Sequence, residues 1–525
     1  MSKSRIIFAG VALFITLICW SLSSPINSHG DERYFIGSIW CAKGYNENCL
    51  PLGLTESKNE IAFVNLGLCV PIGIEESFKR LLVDSIENAC QYAKGNKGSL
   101  GQFLSSINNR IEMNGYVATD FNSVQYPTGY QKVMNLFATK NGPFSILVMR
   151  IFNSLLFCAL FSFLLITTKR NIGAYALIAF LLISVPHVLF TVASITPMSW
   201  SFTGNSLGWL FFFNLLTNSQ KLHLRLILSV IGWLISFTLV VTSRYDAIII
   251  WIFTNLTILV LYFSSKLQKI KIRRYALILA MYSLLLYFFE KQFGLVDTFK
   301  YRFLNIDPIF FNKPWNQLLA IGGTVKLIFA TPLRVLGLES LGWFAIYVPG
   351  FVVVTGLILF SIFVINLSSR KNYTQIALLL LIVGFTFGAI YFQIFGQLFR
   401  ETEKLAPFYY IRTDWRGDTF FSGRHFIGLF MFLLVAHAIF SKKSLAIFQT
   451  STQFVLVNLL CFTHAISLIT VGSIFRENPD WFWFKSPLGV NLITFVGSLT
   501  FLAFTYTATS IIVSAKQVAQ TLENH

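Results

Sequence analysis

The chain has 525 residues, 55% of them hydrophobic and 12% charged, about half the charged share of an ordinary soluble domain. Apolar runs of roughly 18 residues or more recur along its length, each able to cross a hydrocarbon core as a helix, which excludes a soluble protein. The formal net charge of +18 is no nucleic-acid footprint either. Its excess gathers at Lys3, Arg5, Lys169, Arg170, Lys221, Arg225, Lys266, Lys269, Lys271, Arg273, Arg274, Arg370, Lys371, Lys442, Lys443 and Lys516, on stretches assigned to one side of the membrane, with Glu523 as their acidic residue.

Residues 1–24 read as a retained signal-anchor, because the apolar run is long for a cleaved leader and keeping it leaves both termini on the basic, cytoplasmic side. Residues 25–143 turn polar and predict a small extracytoplasmic domain. Within it Ile74, Phe78, Leu81, Leu82, Ile86 and Cys90 recur at helical spacing, as do Leu100, Phe103, Leu104, Ile107 and Ile111, which predicts two amphipathic helices. Four of the seven cysteines, Cys41, Cys49, Cys69 and Cys90, fall here and suggest two disulfides. Three connectivities are open, and proximity favours Cys41–Cys49 with Cys69–Cys90; the spacings do not suit structural zinc.

Residues 144–514 form the multi-span bundle and 515–525 a cytoplasmic tail. After the anchor, spans are expected near 144–167, 173–195, 199–216, 226–242, 247–263, 275–289, 341–367, 376–395, 426–440, 454–475 and 490–514. The fold class is therefore an all-α polytopic membrane protein of about twelve transmembrane helices, with one small exterior domain after the first. Exterior loops are expected at 290–340 and 400–425, and the 55 phenylalanines are read as lipid-facing bulk.

Polar residues concentrate at the outer ends of spans: Asp31 with Glu32, the turn Thr196-Pro197-Met198-Ser199-Trp200, the hairpin at Arg244, and Arg416 to Phe426. Such a set suits glycosyl transfer from a polyprenyl-phosphate sugar. A carboxylate, Asp31 or Glu32, takes the proton of an acceptor hydroxyl, while Arg424, Arg244 or Arg416 holds the departing lipid phosphate in a bidentate fork. Each residue has a plainer role. Asp31 suits the N-cap of a helix beginning at Glu32, Arg424 a headgroup anchor, His425 interfacial packing, and Arg244 a partner for Asp246. Arg150 and Asn153 lie inside the second span, where an arginine needs an internal partner or a wet cavity.

The string Asp31-Glu32-Arg33-Tyr34-Phe35 soon after the first span, followed by Gly44, resembles the Asp-Glu-x-x-Phe signature of a bacterial family of membrane proteins, domain of unknown function 2142, which is grouped with the GT-C glycosyltransferases. Tyr126-Pro127, Arg150 with Asn153, Thr196-Pro197, Ser243-Arg244 and Ser422-Gly423-Arg424-His425-Phe426 follow in the family's order. The sequence departs from the pattern in placing His29 before the acidic pair and His425 where tyrosine is usual. The resemblance implies a GT-C-like bundle with an essential carboxylate in the first exterior loop, Asp31 first and Glu32 second. Asp31-Glu32 lacks the Asp-x-Asp spacing with which some relatives hold a divalent ion, so no metal or other cofactor is expected.

The expected function is a glycosyltransferase of the bacterial plasma membrane, using a polyprenyl-phosphate sugar donor and a glycan or glycolipid acceptor of the cell envelope. The alternatives are a transporter or flippase of lipid-linked oligosaccharide, which would more often show internal repeats and broken helices, and a surface-polysaccharide polymerase.

Overall fold

The computed structural model describes residues 2–24, 32–44, 49–54, 60–65, 116–121, 127–217, 223–264, 340–341, 346–347, 431–432, 435–436, 450–474 and 487–523. These are mostly helical. The expected amphipathic helices at 74–90 and 100–111, Cys69 and Cys90, and the spans at 275–289 and 376–395 lie outside the described residues.

Helix α1 (Lys3–Ser23) is the axis on which the two halves of the chain meet. It packs against α4 (Gly142–Thr167) on one side and the C-terminal helix α11 (Pro487–Glu523) on another. It runs antiparallel to α11: Arg5 reaches Ser510, Thr16 meets Thr500, and Cys19 lies beside Gly497. Helix α11 does not stop where the tail was expected but continues to Glu523, since nothing after Gly497 in the sequence is a Gly or Pro that would break it. Along α11, Leu488, Leu492, Phe495, Leu499, Leu502 and Tyr506 are exposed at alternating four- and three-residue steps. In water this stripe would be untenable; against acyl chains it is the lipid contact.

The small domain is not helical throughout. Helix α2 (Glu32–Trp40) begins where the cap reading places a helix start, and buries Phe35, Ile36, Ile39 and Trp40. It supports a three-stranded antiparallel sheet, β1 (Cys49–Leu54), β2 (Glu60–Asn65) and β3 (Tyr116–Phe121), with Cys49 opposite Val64 and Ile61 opposite Asp120. The register of β1 shifts between Pro51 and Gly53, as a proline that cannot donate requires. Cys41 and Cys49 are disulfide-bonded, with Cα atoms 5.3 Å apart, tying the end of α2 to the sheet. The turn leaving Cys41 closes at Gly44, whose φ of +89° favours glycine. Helix α3 (Thr128–Met134) then leads back to the bundle, and Asn135 just beyond it donates to the Ile39 carbonyl at 2.8 Å, satisfying an acceptor at the end of α2.

Helix α4 starts on Asn141, whose side chain accepts from the Phe144 amide, with Pro143 in its first turn. The single third span expected at 173–195 is instead α5 (Arg170–Ile183) and α6 (Pro186–Val192), bent 104° apart. Val185, extended because it precedes a proline, makes the break, and Pro186 opens the second piece. Helix α7 (Pro197–Thr217) is buried almost all round, against α8 (His223–Ser243) and α9 (Tyr245–Ser264). A Cβ at Gly204 of α7 would sit 2.6 Å from the Ser236 carbonyl, so this approach admits no side chain.

Helix α10 (Thr450–Ile474) completes the described bundle, and Trp20 donates to His464 on it at 3.2 Å. Leu341, Ile346 and Tyr347, expected at the start of a span, are strand residues instead: β4 (Ser340–Leu341) pairs antiparallel with β5 (Ile346–Tyr347). Phenylalanine is not mere lipid-facing bulk either. Phe157, Phe161, Phe180 and Phe202 are buried and packed ring to ring inside the bundle, because in a membrane helices associate through close packing rather than exclusion from water.

Candidate functional site

The site lies where α1 ends and α2 begins. Glu32, in the first turn of α2, and Arg150, two turns into α4, are both fully buried. Arg150 Nη2 donates to Glu32 Oε1 at 2.8 Å and Oε2 at 2.7 Å, and its Nε to Oε1 at 3.1 Å. Its Nη1 turns the other way, to the Ser21 carbonyl at 3.2 Å and the Ser24 carbonyl. The guanidinium thus spends its fork on the carboxylate and its remaining arm on acceptors left open at the C-terminus of α1. Glu32 also stands at a helix N-terminus, where a negative charge is favoured.

Asn153 lies one turn further along α4 and anchors a second layer. Its Oδ1 accepts from Trp200 Nε1 at 2.9 Å, while its Nδ2 donates to the Ser194 carbonyl at 2.7 Å and to the Tyr130 hydroxyl at 3.3 Å. The Tyr130 and Trp200 rings meet edge to face, centroids 4.9 Å apart. Burial pushes the Tyr130 phenol up, the Asn153 bond draws it back, and the Glu32 charge raises it further, so it stays protonated at neutral pH. Between α6 and α7 the turn is held by Ser194 Oγ on Thr196 Oγ1 at 2.8 Å and by Ser199 Oγ on the Val192 carbonyl at 2.9 Å. A Cβ at Gly129 would lie 2.6 Å from Thr242, which seats α3 on the end of α8, two residues before Arg244. Arg244 itself is 8% exposed.

The structure therefore brings together Glu32, Arg150, Asn153 and the Thr196 turn, and places Arg244 at the same end of the bundle. Asp31, Arg416, Arg424, His425 and the Asp246 side chain lie outside the described residues. Among the described residues no three His, Cys, Asp or Glu side chains converge on a point where they would hold a metal ion. Tyr126-Pro127 stands among the sequence motifs, but Tyr130, three residues after that proline on the short helix α3, does not. A tyrosine on a segment leading into the membrane, where a buried hydroxyl needs a partner, was the available signal.

A helical bundle with four to five described membrane spans and a charged network sealed into one end defines a polytopic membrane protein. The chain belongs to the family described as predicted membrane protein (DUF2142), whose model matches residues 14–405. That match takes in Asp31, Glu32, Arg150, Asn153 and Arg244 and ends before Arg416, Arg424 and His425. No curated protein and no solved structure matches the chain.

Proposed function

We propose that this chain is a GT-C-like glycosyltransferase that moves a sugar from a polyprenyl-phosphate donor to a hydroxyl of a cell-envelope glycan or glycolipid, at the outer face of a bacterial plasma membrane with both termini cytoplasmic. The observation that carries the reading is the commitment of both Glu32 oxygens to Arg150. With Oε1 accepting two of these bonds and Oε2 the third, the carboxylate is held by Arg150 rather than turned to a substrate, so Glu32 and Arg150 are positioning residues and, of the adjacent carboxylates, Asp31 is the base. Asp31 would take the acceptor hydroxyl proton as that oxygen bonds to the anomeric carbon and the bond to the phosphate breaks. Arg244, Arg416 or Arg424 would then hold the charge left on the polyprenyl phosphate, which a guanidinium matches at the membrane surface. His425 would support that contact. No metal ion or other cofactor is invoked.

The test is donor consumption by purified protein in detergent, offered a panel of polyprenyl-phosphate sugars. Asp31→Asn keeps the capping oxygen but loses the basicity, so transfer should fall by about two orders of magnitude while donor binding survives. A fully active Asp31→Asn protein would remove Asp31 from the chemistry.

A second reading, a transporter of lipid-linked oligosaccharide, has one observation in its favour: the helix broken at Pro186, of the kind that lines transport sites. The same assay separates them, because a transporter leaves the donor intact.

A further inference from the structure

At the opposite end of the bundle, α1, α5 and α11 enclose a cavity of about 170 Å³ lined by Ser2, Arg5, Arg170, Ile511 and Ser514. Its charges are of one sign. Arg170, half-buried in the first turn of α5, donates through Nη2 to the Ser514 carbonyl at 2.5 Å, while its Nε is buried with no hydrogen-bond partner among the described residues. Arg5, exposed at the rim, reaches among the described residues only the Ser510 hydroxyl at 3.3 Å and the Ser514 hydroxyl at 3.5 Å. Two guanidiniums with donors left over, hydroxyls beside them and no carboxylate in the lining form an incomplete set, and a tetrahedral oxyanion would complete it.

We propose that this cavity binds a phosphate group, as an anionic phospholipid headgroup or as free phosphate. The guanidinium fork matches phosphate oxygens two at a time. The Ser514 hydroxyl already donates to the Ser510 carbonyl at 2.7 Å, so the hydroxyl donor to the anion is Ser2, whose Oγ now lies 2.6 Å from that of Ser4. The volume is ample for a phosphate with its ester carbons. The position suits a headgroup, because α1 and α11 carry apolar exposed faces, at Ile7, Phe8 and Val11 and at Leu499, Leu502 and Tyr506, along which acyl chains would run. Such a lipid would bridge the first and last described spans, adding a polar contact to the apolar packing of Ile6 and Ala9 of α1 and Ile511 and Ile512 of α11.

The experiment uses the full chain, purified in neutral detergent and stripped of lipid, then titrated with phosphatidylglycerol, phosphatidylcholine or inorganic phosphate and read by native mass spectrometry. Wild type should retain one phosphatidylglycerol at least ten-fold more tightly than phosphatidylcholine, or retain inorganic phosphate. Competition between the two anions identifies a general phosphate site, and its absence a site that needs the lipid. Arg5→Gln with Arg170→Gln should weaken retention at least ten-fold, and Arg5→Lys with Arg170→Lys by less. Should the glutamine pair fail to fold, Ser2→Trp serves instead: Ser2 is exposed and makes no side-chain cap on α1, so the substitution fills the cavity mouth and should cause the same loss. Lys3→Gln is the control for surface charge and should change nothing. Equal retention of both lipids with no phosphate bound, full retention by the variants, or an equal loss in Lys3→Gln would each overturn the proposal.

Discussion

Two arginines near opposite ends of the bundle show what a membrane protein does with a guanidinium it cannot leave in lipid. Arg150 is fully buried and fully matched, with a carboxylate across its fork and the carbonyls of Ser21 and Ser24 on its remaining arm. Arg170 is half-buried and, among the described residues, only partly matched, with one carbonyl on Nη2 and no partner for Nε. The first has no capacity left for a ligand and acts as architecture, fixing the end of α1 and the start of α2 against α4. The second retains capacity, and that is where a ligand is to be sought. Burial of a charge alone is therefore a poor guide to function; the count of donors left over is the better one.

The sharpest way to break this contrast is to remove Arg150. Arg150→Met leaves the Glu32 carboxyl buried and without its counter-charge, which should cost about 3–5 kcal/mol. The measurement is the unfolding midpoint in mild detergent, followed by loss of the monodisperse peak. Glu32→Leu with Arg150→Met should recover most of the loss, because both charges go together and the site becomes apolar. If Arg150→Met alone melts like wild type, the pair is not holding the end of α1.

A smaller effect is expected one turn along α4. Asn153→Leu keeps the approximate volume but strips the partners from Trp200 Nε1 and the Ser194 carbonyl, both buried, and should cost about 1–3 kcal/mol in the same assay. Because neither orphaned group is charged, the loss should be less than that for Arg150→Met. Finding the reverse order would mean that the hydrogen-bonded layer, not the ion pair, secures this end.

How much of this was legible in the sequence divides along the same line. Apolar length was enough to find the long described helices α1, α4, α7, α8, α9, α10 and α11, and an arginine inside the span expected at 144–167 announced that a partner was needed. It did not say that the partner was Glu32, because the two are 118 residues apart and only the packing of α1 against α4 and of α2 against α3 brings them together. The helix start at Glu32 and the Cys41–Cys49 bond were readable from local chemistry. The break at Pro186 was not, because hydropathy averages over a window and is blind to the extended backbone that proline imposes on Val185. The pairing of Ser340–Leu341 with Ile346–Tyr347 was hidden in the same way inside an apolar run. The sheet had its own signal, the β-branched and aromatic stretches 60–65 and 116–121, passed over in a segment read for helical spacing.

The smallest expected effect tests the contrast at the level of a neutral hydrogen bond. Thr16 and Thr500 face each other where α1 crosses α11, their hydroxyl oxygens 2.9 Å apart, a contact that at first sight resembles the clamp made by Arg150. Each hydroxyl, however, has an acceptor on its own helix: Thr16 the Ala12 carbonyl at 3.0 Å, and Thr500 the Val496 carbonyl at 2.9 Å. With one proton apiece, each oxygen can turn to its own carbonyl if the partner is lost, so nothing is left uncompensated. Thr16→Val keeps the branched shape and should cost about 0.6 kcal/mol, the usual size of an interhelical hydrogen bond in a membrane. A loss approaching that of Asn153→Leu would show that the crossing of the first and last helices depends on this bond, and the rule that leftover capacity separates architecture from ligand site would fail for neutral groups.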